Sequence, residues 1–203
     1  MTAVAALVLT LATGSGYSAS DRAALNLAIA GTRDAPPDLV ELIVRHRDQF
    51  LNGVRETIPL SPAADFSKEA KALSRAILSR AHFPDVIHRF GAIVGELLAV
   101  ETPRFAKPAD RRAFEEASFG PYTFSGVSAP SASGNPDPVA ASISKAAAEL
   151  REKKANPGAI ASRIVSDETN LLWAIWIGAG GDTRPARKFE EKNGPYTIAG
   201  APR

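Results

Sequence analysis

Apolar residues recur along most of the chain at spacings of three and four, which is the period of an amphipathic α-helix. The strongest pattern runs from Pro84 to Glu101. Its apolar positions step by four, three, four and three residues, through Val86, Phe90, Ile93, Leu97 and Val100. A second row widens this stripe, at Ile87, Val94 and Leu98. So broad a stripe indicates a helix that is covered on most sides, and we expect it at the centre of the fold.

The same period predicts five further helices, separated by prolines and glycines. Their predicted ranges are 20–30, 37–54, 65–80, 138–154 and 157–178. Few runs alternate with period two, so the pattern predicts an all-α, single-domain helical bundle over residues 18–180. Residues 120–138 are rich in Gly, Pro and Ser and are predicted to form a long loop. Residues 181–203 contain few apolar positions and are predicted to be a poorly ordered tail.

Composition narrows the range of functions. The chain has 203 residues and no cysteine, which excludes disulfides, thiolate zinc sites and cysteine nucleophiles. Its 24 basic and 22 acidic residues are interspersed, so we predict no nucleic-acid patch and no anionic-membrane patch. No apolar run reaches the roughly 20 residues that a transmembrane helix needs.

The first twelve residues, Met1 to Ala12, are uncharged and mostly apolar, and small residues follow them. This pattern is typical of the hydrophobic region of a secretory signal, here residues 1–14. It departs from the usual signal because no cation precedes the run; the first is Arg22. We therefore expect an exported protein, periplasmic or extracellular. The alternative is an ordinary buried N-terminal helix in a cytoplasmic protein.

Residues suited to metal chemistry are few. The side chains four residues after each histidine are apolar, so no helical ligand pair forms at His46, His82 or His88. No serine-nucleophile elbow and no phosphate-binding loop is present. The adjacent carboxylates Glu115-Glu116 and Asp167-Glu168 do not face each other on a helix and are interpreted as solvated surface charges. The sequence predicts no catalytic residue, no metal ligand and no cofactor.

Three polar or aromatic residues remain as weak candidates for ligand contact. Arg89 and Glu96 are seven residues apart on one side of the central helix, which allows either a polar groove or a solvent-facing Glu96. Trp176, three residues after Trp173, either packs in the core or stacks on a ligand.

Two segments resemble the zinc-dependent phospholipase C and single-strand-specific nuclease family, in particular its uncharacterised bacterial branch. The family's central helix carries His-x3-Asp-x3-Pro-x-His, and here the same spacing falls on Gly95, Ala99, Pro103 and Phe105, after the run Arg89 to Ile93. The stretch from Leu171 to Gly180 is similar to the family's tryptophan-containing late helix. The family's N-terminal Trp-Gly-x3-His would fall near residues 16–21, and the tryptophan and the histidine are both missing there.

The resemblance implies an all-helical fold that has lost its zinc ligands and with them the hydrolysis of phosphodiesters. It implies a non-catalytic homologue, a helical binding or structural protein with a ligand or protein partner at the former active-site cleft. Gly95 and Ala99 are then expected to close over the cleft, and Phe105 to fill it. A simpler account of Gly91-x3-Gly95 is close approach of another helix. Two alternatives stay open: an active phosphodiester hydrolase with an unrecognised site, and an unrelated helical domain.

Overall fold

The computed structural model describes residues 19–57, 65–102, 105, 107–124, 126–152 and 156–181. These residues form nine α-helices and no β-strand, so the predicted all-α class is confirmed. The helices are α1 (Ala19–Gly31), α2 (Pro37–Arg45), α3 (Arg47–Thr57), α4 (Phe66–Leu78), α5 (Phe83–Glu101), α6 (Pro108–Ala117), α7 (Ala129–Ala132), α8 (Pro136–Glu152) and α9 (Pro157–Gly178). None of these helices is long and apolar enough to cross a bilayer. The predicted signal (1–14) and tail (181–203) lie outside the described residues, Gly181 excepted.

The prediction of one continuous helix over residues 37–54 is wrong, because the structure has two helices there, and they meet at His46. The His46 backbone leaves the helical region (φ −114°, ψ 38°) while its N–H still donates to the Leu42 carbonyl oxygen. Phe50 N–H then donates to the His46 carbonyl oxygen and starts α3. The bend lets α2 bury Leu39 and Ile43 while α3 turns toward α5.

The loop predicted at 120–138 is only partly irregular, since it contains α7 and the first turn of α8. Ser128 caps α7 by accepting a hydrogen bond from the Ser131 N–H. Helix α8 starts at Pro136, two residues before the predicted Pro138. Helix α6 is absent from the predicted set. It buries a single residue, Phe114, among charged neighbours, so it carries no apolar period that a sequence could show.

Helices α5 and α9 form the centre of the bundle. Helix α5 buries ten of its 19 residues. Four of the five residues of the predicted stripe are among them, and the fifth, Val100, is half-buried. Helix α9 buries thirteen of its 22 residues and contacts most of the other helices. The Trp173 indole N–H donates to the Asp34 carbonyl oxygen (2.7 Å), which fixes the turn after α1 to the end of α9.

The most extensive helix contact in the described part of the fold joins α3 to α5, through a row of small residues that we call the glycine seam: Gly53, Gly91 and Gly95. A Cβ added to Gly91 would lie 2.8 Å from the Phe50 carbonyl carbon, and one added to Gly95 would lie 2.6 Å from the Val54 carbonyl oxygen. The Thr57 hydroxyl lies 3.1 Å from the Ala92 carbonyl oxygen across the same seam. Close approach of another helix therefore accounts for Gly91-x3-Gly95.

We expect Gly91→Ala and Gly95→Ala each to lower the free energy of unfolding by about 1–3 kcal/mol, because the added methyl overlaps the backbone of α3. Urea denaturation followed by circular dichroism measures this loss. Gly158→Ala is the matched control, because its Cβ would meet only the Asn156 Oδ1 atom, at 3.3 Å. Seam variants as stable as the control would show that the two helices can move apart freely.

Candidate functional site

Of the four positions to which the sequence resemblance assigns the zinc-ligand motif, the structure describes three, and these three face different surroundings. Gly95 faces Val54 and Thr57 inside the glycine seam, where no side chain has room. Ala99 is half-buried on α5, and Phe105 packs its ring on Phe114 with 5.2 Å between ring centroids. Pro103 lies outside the described residues. None of these side chains carries an atom that zinc binds, so the residues present do not fit the metal.

The three histidines also have different positions and different surroundings in the fold. His46 lies at the junction of α2 and α3, and His82 is the exposed N-cap residue of α5. The His88 imidazole lies 3.1 Å from the Glu56 carboxylate, at the edge of the glycine seam. Within the described ranges, no three histidine, aspartate or glutamate side chains are grouped so that they could hold a metal ion.

Arg89 and Glu96, the two polar candidates from the sequence, line one groove between α4 and α5. The groove has a volume of about 120 Å³. Its α4 side is formed by Glu69, Ala72 and Leu73, and its α5 side by Arg89, Ala92, Ile93 and Glu96. Of the two interpretations of Glu96, the groove is therefore the one that the structure favours. Trp176 is buried on α9 and is not among the lining residues.

One carboxylate of this groove, which we call the α4–α5 groove, is placed unfavourably for negative charge. Burial raises the pKa of Glu96, and the nearby charge of Glu69 raises it further. The Oε2 atom of Glu96 is shielded from solvent and has no hydrogen-bond partner among the described residues. Among the described residues, no ion pair joins the Arg89 guanidinium to the carboxylate of Glu69 or Glu96. A cation that enters the groove would relieve the repulsion between the two carboxylates.

Two carboxyl groups that the sequence pattern does not mark as buried lie inside the bundle. Glu168 is fully enclosed, so the interpretation of Asp167-Glu168 as a solvated pair is wrong for this residue. The Glu168 side chain covers the end of α1, where a Cβ on Gly31 would lie 2.7 Å from its Cγ. Neither Glu168 oxygen has a hydrogen-bond partner in the described ranges, and burial raises its pKa well above the usual value. Burial also raises the pKa of Tyr122 to about 12, and the charge of Glu168 acts in the same direction.

Glu101, at the end of α5, is the second enclosed carboxyl group. Burial raises its pKa well above the usual value, and the charge of Asp167 acts in the same direction. Neither Glu101 oxygen has a hydrogen-bond partner among the described residues. The Arg163 guanidinium pairs with Asp167 at 3.1 Å and completes the cluster.

Comparison with known proteins adds no relative to this picture. No protein-family model matches the chain, and neither a curated protein nor a solved structure matches it. The features that bear on function are therefore the groove, the seam and the enclosed carboxyl groups.

We expect the protein to lose stability as the pH rises above the ordinary glutamate range. As the pH rises, Glu168 ionises at a lower pH in the unfolded chain than in the folded chain. Ionisation therefore stabilises the unfolded state relative to the folded state. The contribution of Glu168 is complete at acidic pH and declines toward neutral pH, by up to about 1.4 kcal/mol per pH unit for one proton. The Glu168→Gln variant removes this proton, and urea denaturation from about pH 4 to about pH 8 should show a flatter profile.

Glu116→Gln is the control for this experiment, because Glu116 is exposed on α6. It should leave the slope of stability against pH unchanged. A Glu168→Gln variant with the wild-type slope would show that Glu168 is ionised inside the fold, and the expected loss of stability with rising pH would then need another cause.

Proposed function

We propose that the chain is a non-catalytic homologue of the zinc-dependent phospholipase C and single-strand-specific nuclease family, and that it works as an exported helical binding protein. The family relation rests on the sequence resemblance over the central and late helices. Export rests on the apolar start of the chain, Met1 to Ala12. The binding role rests on the α4–α5 groove, where no ion pair among the described residues joins the charged side chains of the lining.

The observation that carries the loss of catalysis is the surroundings of Gly95. This residue has the position of the first histidine of the family's motif, and a Cβ added to it would overlap the backbone of α3. A histidine there would have to displace Val54 and Thr57. The loss of catalysis that we propose is supported by this packing, because a histidine at position 95 would cost the contact between α3 and α5.

The proposed family relation and the proposed binding role rest on different observations. The seam explains Gly91 and Gly95 whether or not the chain descends from a zinc hydrolase, so an unrelated helical domain remains the alternative ancestry. The binding role of the groove does not depend on that ancestry, because it follows from the lining residues themselves.

We expect the purified protein to hold no stoichiometric zinc and to cleave no lipid or nucleotide phosphodiester when zinc is added. Metal analysis by mass spectrometry, on protein purified without chelators or a histidine tag, tests the first part. An assay that detects the phosphomonoester product of cleavage, with and without zinc, tests the second. A phosphodiesterase loaded with zinc serves as the positive control for both measurements.

Zinc near stoichiometry together with chelator-sensitive cleavage of a phosphodiester would contradict the proposal. His88→Gln would then be the variant to compare, because His88 and Glu56 already form a close pair on the described surface. Loss of zinc in that variant would place the active site at the edge of the glycine seam.

A further inference from the structure

The α4–α5 groove holds opposite charges that do not neutralise each other. Arg89 lies toward the start of α5 and Glu96 two turns later, a rise of about 10.5 Å along the helix axis. Glu69, from α4, lies close enough to Glu96 to raise its pKa. Among the described residues, a guanidinium and a pair of carboxylates are the only charged groups that line this groove.

The remaining lining residues are apolar. Ala92 and Ile93 from α5 face Ala72 and Leu73 from α4. The groove thus offers carboxylates, a guanidinium and an apolar wall formed by both helices. A ligand that matches it carries an ammonium group, an anionic group and methylenes between them, because each part then meets its complement.

We propose that the α4–α5 groove binds an ω-amino acid, with its ammonium group at Glu69 and Glu96, its carboxylate at Arg89, and its methylene chain on the apolar wall. Arg89 is suited to a carboxylate because its planar guanidinium can donate two parallel hydrogen bonds. The same chemistry occurs in free lysine and in the C-terminal lysine of a peptide, through the ε-ammonium and the terminal carboxylate.

The size of the groove agrees with this class of ligand. Its volume of about 120 Å³ is well above the roughly 10–15 Å³ that a single water molecule needs on the same measure, so the groove has room for a chain of several non-hydrogen atoms. The inference rests on the proposed function only in treating the groove as a binding site.

Titration of the full chain with 6-aminohexanoate, followed by isothermal calorimetry and by NMR shifts of the α4 and α5 amides, tests the proposal. We expect a dissociation constant of roughly millimolar or tighter, since exposed charge pairs are individually weak. Hexylamine and hexanoate, which each lack one charged group, should bind at least about tenfold more weakly. Glycine, whose charges are too close together to span the groove, should do the same.

Two variants and two matched controls locate the binding. Arg89→Gln and Glu96→Gln should each weaken binding of 6-aminohexanoate by about tenfold or more. Arg112→Gln and Glu116→Gln remove the same charges from exposed positions on α6, which does not line the groove, and should leave binding unchanged. Circular dichroism of all four variants confirms that the fold is intact.

A peptide that ends in lysine, compared with its C-terminal amide, separates the two sources of the ligand. Binding of the acid and not of the amide indicates a protein terminus as partner, whereas binding of free lysine alone indicates a small molecule. The proposal is overturned if 6-aminohexanoate does not bind, if hexylamine binds equally well, or if Arg89→Gln has no effect. None of these outcomes involves zinc or phosphodiester cleavage, so the proposed loss of catalysis stands or falls separately.

Discussion

The close approach of α3 and α5 is the constraint on which the rest of the structure depends. Because Gly53, Gly91 and Gly95 present no side chain, the backbones of these two helices meet directly. This contact sets the rotation of α5 about its axis, and the rotation decides what each face of α5 meets. One face lies on α3, the next lines the groove with α4, and the C-terminal end carries Glu101 toward α9. A rotation of one residue would move Glu96 out of the groove.

Much of the fold could be predicted from the period of the apolar residues. Helices α5 and α9 have broad stripes and a proline in the first turn, and their predicted ends differ from the structure by at most one residue. The break at His46 could not be predicted, because residues on both sides of it fit a helix and the bend serves a contact with α5, far along the chain. Helix α6 has one buried side chain, so it is held by its neighbours and not by a pattern of its own.

Only part of the lining of the groove could be predicted from the sequence. Arg89 and Glu96 share one helix, so their spacing alone placed them on one side. Glu69 belongs to another helix, and only the packing of α4 on α5 brings it near Glu96. The enclosed carboxyl groups show the same limit more strongly. Glu168 stands beside Asp167 in the sequence, yet Asp167 pairs with Arg163 near the surface while Glu168 points into the bundle. Adjacent helical residues face different ways, and which way is inward depends on the neighbouring helices.

The contact between Gly31 and Glu168 has a consequence for how this protein can vary over evolution. The two residues occupy a single volume, since any side chain at position 31 would enter the space of the carboxyl group and the Cγ of Glu168. The Thr169 hydroxyl, which donates to the Gly31 carbonyl oxygen at 2.8 Å, keeps the two helices from separating to make room. Positions 31 and 168 should therefore covary among homologues. A larger residue at 31 should be accompanied by a shorter one at 168, and that exchange would remove the enclosed carboxyl group in the same step.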